Sequence, residues 1–473
     1  MPSADSSEMA RTGRAIQLHN TMTRRVEPLR PLAEREVRMY TCGPTVYDYA
    51  HIGNFRAYVW EDTLRRFLKH RGYRVTQVMN ITDVDDKTIR GAAAAGVTLD
   101  EYTSKYIDAF FEDLQTLGIE HAEAYPRATR HVPEMIDLCE KLIAAGHTYE
   151  SQGSLYFKIS TFPGYGRLSH LDAAGILSGA RVDSDEYEKE DARDFVLWKS
   201  RKDQEPSWST RLGEGRPGWH IECSAMSMKY LGETFDIHTG AVDNIFPHHE
   251  NEIAQSEAAT GKPFVGLWMH CEHLIVDGEK MSKSKGNFYT LRDLTSRGLE
   301  PRAIRYFLMT AHYRKQINFT LDGVGQASAA LTRLDDFSDR IEREPAGREG
   351  GLDEVLARHR GRFEAALDDD LNTPEALGAA FDLLREANSA FDRAEGSAGE
   401  RSAIAAFFQE LRYVLGIAPR RVDLTGEIEE MIRRREEARL NREFATADRI
   451  RHDLLDRGIV LEDTPQGVRW KRR

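Results

Sequence analysis

The side chains that could do chemistry fall into two groups. One is a set of metal-compatible donors: Cys42, Cys223 and the run Phe246-Pro247-His248-His249-Glu250-Asn251-Glu252. His248 and Glu252 are four positions apart, so a helix running from about Pro247 puts them on one face, with β-carbons roughly 5 to 6 Å apart. That is close enough to share a cation. Two thiols, an imidazole and a carboxylate suit zinc, but Cys42 and Cys223 are too distant in sequence for spacing to define a site as a C-x-x-C pair would. Either cysteine could equally be a small buried hydrophobe, and His249 competes with His248 as a donor. The second group is cationic. A helix beginning at His51-Ile52-Gly53-Asn54 would turn its free amides and positive dipole end toward a phosphate. Far downstream, Lys280-Met281-Ser282-Lys283-Ser284 puts two lysines on a small, serine-rich loop able to close over a polyphosphate.

These groups need a scaffold, and the surrounding pattern supplies one. Val37 to Thr41 reads as a strand, Gly43 and Pro44 break it, and the helix from His51 carries Val59, Leu64 and Leu68 at helical spacing. Tyr73 to Ile81 reads as a second buried strand. This is the β-α-β opening of a parallel sheet, whose ligands bind at the strand C-termini. Helical periodicity follows at Leu99 to Leu117 and Glu134 to Ala145, and Tyr149 to Ile159 alternates like sheet. The acidic stretch Ser178 to Asp194 reads as a mobile loop. Sheet and helix signals at Phe235 to Gly240, Asn251 to Ala259 and Val265 to Val276 then complete the second half of the fold before the lysine loop. Arg343 to Gly351 is a linker by composition, Ala366 to Pro374 opens a helix pair, and Gly396 to Glu400 breaks again. From Thr425 two helices precede short strands at Gly458 to Glu462 and Gly467 to Lys471.

Composition narrows the class. The chain of 473 residues is long enough for about three domains of roughly 150 residues. No apolar run approaches the roughly 18 to 20 residues that span a bilayer, and the polar start lacks a signal-peptide core. A cytoplasmic location without membrane contact is expected. Only 4 cysteines occur, dispersed rather than at framework spacings, which fits a reduced compartment. A formal net charge of -12 argues against nonspecific coating of nucleic acid. Local basic patches remain available, the clearest being Arg433 to Arg435, Arg439, Arg442, Arg449, Arg451 and Arg469 to Arg473, interleaved with Glu436, Glu437 and Glu443.

The order, separation and flanks of the motifs resemble the cysteinyl-tRNA synthetases, a class I aminoacyl-tRNA synthetase family. The flanks are Tyr40-Thr41-Cys42-Gly43-Pro44-Thr45-Val46-Tyr47-Asp48 and Trp219-His220-Ile221-Glu222-Cys223-Ser224-Ala225-Met226. The resemblance implies an α/β fold: a Rossmann-type catalytic domain over residues 21–117 and 217–300, split by a connective insertion at 118–216. A flexible extension (1–20) would precede it. A helical junction (301–342), a helical anticodon-side bundle (352–418) and a small α+β tRNA-binding domain (425–473) would follow. The implied reaction is ATP-dependent ligation of L-cysteine to cysteine tRNA through a cysteinyl adenylate, by a monomer, with magnesium accompanying ATP. His51, Asn54, Lys280 and Lys283 match the catalytic signatures, with His51, Asn54 and Lys283 on ATP. The family's first signature often ends in histidine, where Asn54 stands here. Cys42, Cys223, His248 and Glu252 match the zinc ligands, and Thr82, Trp219, His238 and Asp243 the substrate pocket. Soft zinc would select a thiolate where shape alone rejects small analogues only roughly a hundredfold. The alternative is the cysteine ligase of mycothiol biosynthesis, which acts on an amino sugar and lacks an anticodon-side region.

Other strings fail their context. Gly213-Glu214-Gly215-Arg216-Pro217-Gly218 spells a dinucleotide motif without a preceding hydrophobic strand. Asp83, Asp85 and Asp86 read as a solvated turn capping the next helix rather than a cation loop. Cys139 falls on an apolar helical stripe, and Cys271 is open between packing and pocket lining.

Overall fold

The computed structural model describes residues 14–171, 194–202, 205–419, 426–457, 459–464 and 467–472. Four parallel strands form its centre: β1 (Glu36–Thr41), β2 (Arg74–Met79), β3 (Phe235–Ala241) and β4 (Val265–Cys271), in the order β4-β3-β1-β2. The two chain halves meet where β1 pairs with β3. A switch of this kind leaves a crevice at the C-terminal edge, where the connections diverge to opposite sides. Cys42 follows β1 directly, and Cys271 ends β4.

Helix α1 (Ile52–His70) starts where the sequence pattern puts it, for a local reason. His51 accepts from the Asn54 amide through Nδ1 at 3.2 Å, and Asn54 Oδ1 accepts from the His51 amide at 3.0 Å. This reciprocal capping box satisfies two helix-end donors. Phe55, Val59, Leu64, Phe67 and Leu68 then bury against the sheet. Helix α2 (Trp219–Leu231) and helix α3 (Glu250–Thr260) carry the second half's chemistry. Sequence periodicity runs α3 back to Pro247; instead a wide turn at Ile245–His249, with Phe246 extended, precedes it. Such wide turns recur at functional sites because they reorient side chains that a regular helix would fan apart.

The insertion has its own sheet and shares a core with α2 and α3 through Ile221, Ala225, Met226 and Ala254. An antiparallel sheet of Thr148–Ser151, Ser154–Phe157, Phe195–Ser200, Gly213–Pro217 and Trp208–Thr210 packs with helix Val132–Ala144, burying Cys139, Leu197 and Trp198. The glycine string is thus an antiparallel strand, which no dinucleotide loop could be. The acidic loop lies outside the described residues except Asp194. That residue is buried and accepts from the Ile159 amide at 2.8 Å, so it is held in place just before the strand Phe195–Ser200 rather than in a mobile loop.

Three further expectations are corrected. The N-terminal extension ends earlier than residue 20, because Gln17–Asn20 pairs with Arg25–Pro28 and buries Leu18. Val265 to Val276 is not one strand: Leu274–Val276 leaves the main sheet to pair with Glu279–Lys280 and with Ile317–Phe319, a strand inside the stretch read as helical. Asp83 is buried and bonds Thr129 through both carboxylate oxygens, so only Asp85, the cap of helix Asp86–Ala95, fits the capping turn.

Helices Leu321–Arg343, Leu352–Asp368, Thr373–Asp392 and Ala398–Leu415 form the following bundle. Arg305, fully buried, ties it to the catalytic half by donating to the carbonyls of Leu415 (2.8 Å) and Leu117 (3.1 Å) and pairing with Asp62 on α1. Residues 419–473 form a second compact unit. Its helices Gly426–Leu440 and Phe444–Asp456 and its hairpin Ile459–Thr464 with Gly467–Arg472 enclose Ile428, Ile450, Leu454, Ile459 and Leu461. Leu440 and Phe444 stand exposed at the turn between the two helices. Among the described residues no helix is long and apolar enough to cross a membrane.

Candidate active site

Two glycines let the backbone close around the site. A β-carbon on Gly43 would fall 1.8 Å from the Asn80 carbonyl oxygen, and one on Gly240 would fall 2.8 Å from His249 Cε1. The β1 end can therefore lie against the β2 end, with Asn80 Oδ1 accepting from the Gly43 amide at 2.8 Å. His249 can likewise pack directly on β3.

Cys42, His248, His249 and Glu252 converge until their donor atoms lie within 4.8 Å of one another. His248 Nε2 is 3.1 Å from Glu252 Oε1, as the four-residue spacing anticipates, and His249 Nε2 is 3.2 Å from Cys42 Sγ. Cys223, buried on α2, shares a hydrogen bond with Cys42. Burial opposes charge on Cys42, but that hydrogen bond and the imidazoles of His249 and His248 hold its thiol well below the usual range. Cys223 moves the other way, raised by the same contact and by burial. Glu252 Oε1 is fully buried and takes no hydrogen bond despite its two imidazole neighbours. An orphaned carboxylate oxygen facing thiol and imidazole donors is costly for a polar cluster alone and fits a cation. The residues present can thus hold a metal ion, and both histidines are within reach of it.

The surroundings orient these donors. Glu252 Oε2 accepts from His238 Nε2 at 3.0 Å, His220 Nδ1 lies 2.9 Å from His248 Nδ1, and His249 Nδ1 lies 2.8 Å from His270 Nε2. Outer partners of this kind fix ring orientation and tautomer. Burial disfavours charge on His238 and His248, yet Glu252 and Cys42 together outweigh it and raise both, whereas burial prevails at His249 and lowers it. Trp219 stacks on His248 with centroids 4.2 Å apart. Thr82 donates to Glu222 Oε2 at 3.1 Å, and burial, followed by Asp83 and Asp85, keeps that carboxyl well above its usual range. His220, His270 and Glu222 were not singled out from sequence. Their only signal was adjacency to Trp219, Cys271 and Cys223.

A cleft of about 510 Å³ opens beside the cluster, and His51, Asn54, Asp243, Lys280, Cys42 and Cys271 all line it. Both cationic signatures, remote in sequence, therefore face one cavity. Burial lowers the His51 pKa to about 4, against the opposing pull of Asp243, so the ring is neutral at ordinary pH. Asn54 has its carbonyl oxygen committed to the capping box, which leaves its amide group as the donor. Lys283 is exposed, hydrogen-bonds Asp48 and sits 5.0 Å over the Phe288 ring; the Asp48 bond raises its pKa. Cys271 lines the cleft wall, its thiol pushed up to about 12 by burial.

A parallel sheet split at a switch point, with a helix N-terminus and a lysine loop meeting over its C-terminal edge, is the architecture of the class I aminoacyl-tRNA synthetases. Solved structures share it. Methionyl-tRNA synthetase of Mycobacterium tuberculosis, in complex with methionyl-adenylate, matches with a TM-score of 0.61 at 17% identity over 80% of this chain and 89% of that one. LeuRS of Agrobacterium radiobacter, in a ternary complex with tRNA, matches with a TM-score of 0.59 at 11% identity over 83% of this chain and 85% of that one. Family comparison is more specific. The class I (C) tRNA synthetase catalytic domain matches residues 28–329, the DALR domain 362–418, and the cysteinyl-tRNA ligase anticodon binding domain 421–470. The cysteine–tRNA ligase of Solibacter usitatus is 52% identical over 97% of this chain and 100% of its own length, and that of Brachyspira hyodysenteriae 51% over 97% and 99%. The chain belongs to the cysteine–tRNA ligase family.

Proposed function

We propose that this chain activates L-cysteine with ATP and transfers it to cysteine tRNA, and that the two residue groups divide the work. The observation that carries this reading is the single cleft shared by Cys42 of the metal-compatible cluster, the His51 helix start and Lys280. The amino-sugar alternative finds no support: the similar cysteine–tRNA ligases match over nearly their whole length, and residues 421–470 of this chain match an anticodon binding domain.

The cysteine carboxylate attacks the α-phosphorus of ATP, and pyrophosphate leaves. Little covalent help is needed; positioning and charge stabilisation dominate. The amides at the start of α1 and the side chains of His51 and Asn54 orient the phosphates, His51 as a neutral donor. Lys280 and Lys283 close over the triphosphate, with Lys283 leaving Asp48 to meet the developing charge. Magnesium would accompany ATP and neutralise part of the triphosphate charge.

Cys42, Cys223, His248 and Glu252 would hold zinc, with His249 adjoining. When bound there, zinc supplies a preference for thiolate over hydroxyl or methyl that separates cysteine from serine and alanine. His238 fixes the Glu252 carboxylate, Trp219 fixes the His248 ring, and Thr82 and Asp243 complete the pocket. In the second step the 2′-hydroxyl of the terminal tRNA adenosine attacks the cysteinyl carbonyl, gives up its proton, and AMP leaves. Residues 352–418 and 425–473 serve the anticodon side, where exposed Phe444 among Arg439, Arg442 and Arg449 offers a stacking face with cations. The protein acts as a monomer in the cytoplasm.

The test is ATP-dependent transfer of labelled cysteine, with total tRNA in one reaction and glucosaminyl-inositol in another. Label on tRNA alone is expected. Label on the amino sugar alone would overturn the acceptor assignment while keeping the activation chemistry.

A further inference from the structure

Beside the cleft lies a second cavity of about 300 Å³, walled by His19, Arg24, His170, His270, Glu272 and Arg314 among others. Glu272 lines both cavities, and Val242 on this wall is followed in the chain by Asp243 on the cleft wall. The two spaces are therefore neighbours along the C-terminal edge of β3 and β4. Five separate segments meet here: the turn of the N-terminal hairpin, residues 168–170 of the insertion, the turn after β3, the end of β4 and Arg314. Arg24 and His170 both take positive φ, 56° each, a conformation that costs energy in non-glycine residues.

We propose that this cavity receives the phosphodiester backbone at the single-stranded 3′ end of tRNA and positions the terminal ribose for transfer. The proposal rests on the ligase reading above and deepens it. The cleft must hold cysteine and ATP, so the acceptor strand needs its own path to the adenylate carbonyl. A phosphate backbone is held by arginine and by neutral N–H and O–H donors. The cavity offers this set. Arg24 has no carboxylate partner among the described residues, and Arg314 is anchored through Nε by Asp370 Oδ2 at 2.6 Å. His19, His170 and Ser169 line the same wall beside the two arginines. The wall's one carboxylate, Glu272, stands at the shared edge, where an acceptor suits ribose hydroxyls rather than a phosphate. His270 also connects the cavity to the metal-compatible cluster, since Thr21 Oγ1 lies 2.7 Å from its Nδ1 and His249 Nδ1 2.8 Å from its Nε2.

The competing anion is pyrophosphate, and the two steps of the reaction separate the sources. Arg24→Glu and Arg314→Ala are made in the full chain. Two rates are measured: single-turnover transfer of labelled cysteine from the enzyme-bound adenylate to tRNA, and cysteine-dependent ATP–pyrophosphate exchange without tRNA. Each variant is expected to slow transfer about tenfold or more. Each should also make the salt dependence of tRNA affinity shallower by about one unit of log–log slope. Exchange should stay within about twofold of wild type. A raised KM for pyrophosphate, or exchange and transfer falling together, would assign the cavity to activation and overturn the proposal. Unchanged transfer in Arg24→Glu would also overturn it; this exposed residue decides the matter if loss of the Asp370 pair unfolds the Arg314 variant. Absence of cysteine-dependent exchange in the wild type would instead defeat the underlying ligase reading.

Discussion

The two sides of the cleft are built on opposite principles. On one side Glu252, His238, His248, His249 and Cys223 are all buried, and each imidazole is held by a second partner. On the other, the lysine loop is exposed and its key cation rests on Asp48. The difference fits the tasks proposed for them. Discriminating a thiol from a hydroxyl needs donors fixed before the substrate arrives, because reorganisation would consume the small energy that separates the two. Handling a triphosphate requires admitting a large anion and releasing pyrophosphate, which calls for groups that move.

The comparison breaks first at Glu252. Glu252→Ala should abolish stoichiometric metal and lower cysteine-dependent exchange by about a thousandfold or more, because it removes a metal-compatible carboxylate and strands two buried imidazoles. Metal analysis and exchange on the folded variant check this; full retention of metal would remove Glu252 from the site. Next, Lys283→Ala should reduce exchange about 10²- to 10³-fold with metal content and melting temperature unchanged. Unaltered exchange would show that the mobile side does not stabilise the charge.

His51 sharpens the boundary between the sides, being buried yet on the phosphate side. Its folded pKa of about 4 lies below the ordinary 6.5, so the unfolded chain takes up the proton first. Its contribution, up to about 3 kcal/mol, is complete above about pH 6.5 and is lost as pH falls toward about 4. Denaturant titrations should show wild type losing more stability across that window than His51→Asn; parallel losses would contradict the buried, neutral ring. The smallest effect is at Asp48. An exposed ion pair contributes about 0–1 kcal/mol, so Asp48→Asn should lower the KM for ATP no more than about fivefold. A large rise would mean that Asp48 itself handles nucleotide.

What the sequence made legible follows the same division. The strand before Cys42, the helix at His51 and the four-residue step from His248 to Glu252 are local patterns, and local hydrogen bonding produces them. The missing parts depend on distant partners. Nothing near His220 or His270 announces that they back His248 and His249, because the contacts join α2 to the turn before α3 and β4 to that same turn. Ile317–Phe319 is too short for alternation to register among helices, and it is a strand only because Leu274–Val276 lies beside it. Asp83 looks like a solvated acid beside Asp85, yet Thr129 draws it inside.

The most direct measurement is the ratio of kcat/KM for cysteine over serine in tRNA charging, taken in wild type, Lys283→Ala and Cys223→Ser. The account predicts a high ratio in wild type, the same ratio at much lower rates in Lys283→Ala, and a collapsed ratio in Cys223→Ser. A ratio that survives in Cys223→Ser but falls in Lys283→Ala would place amino-acid choice on the mobile side and contradict it.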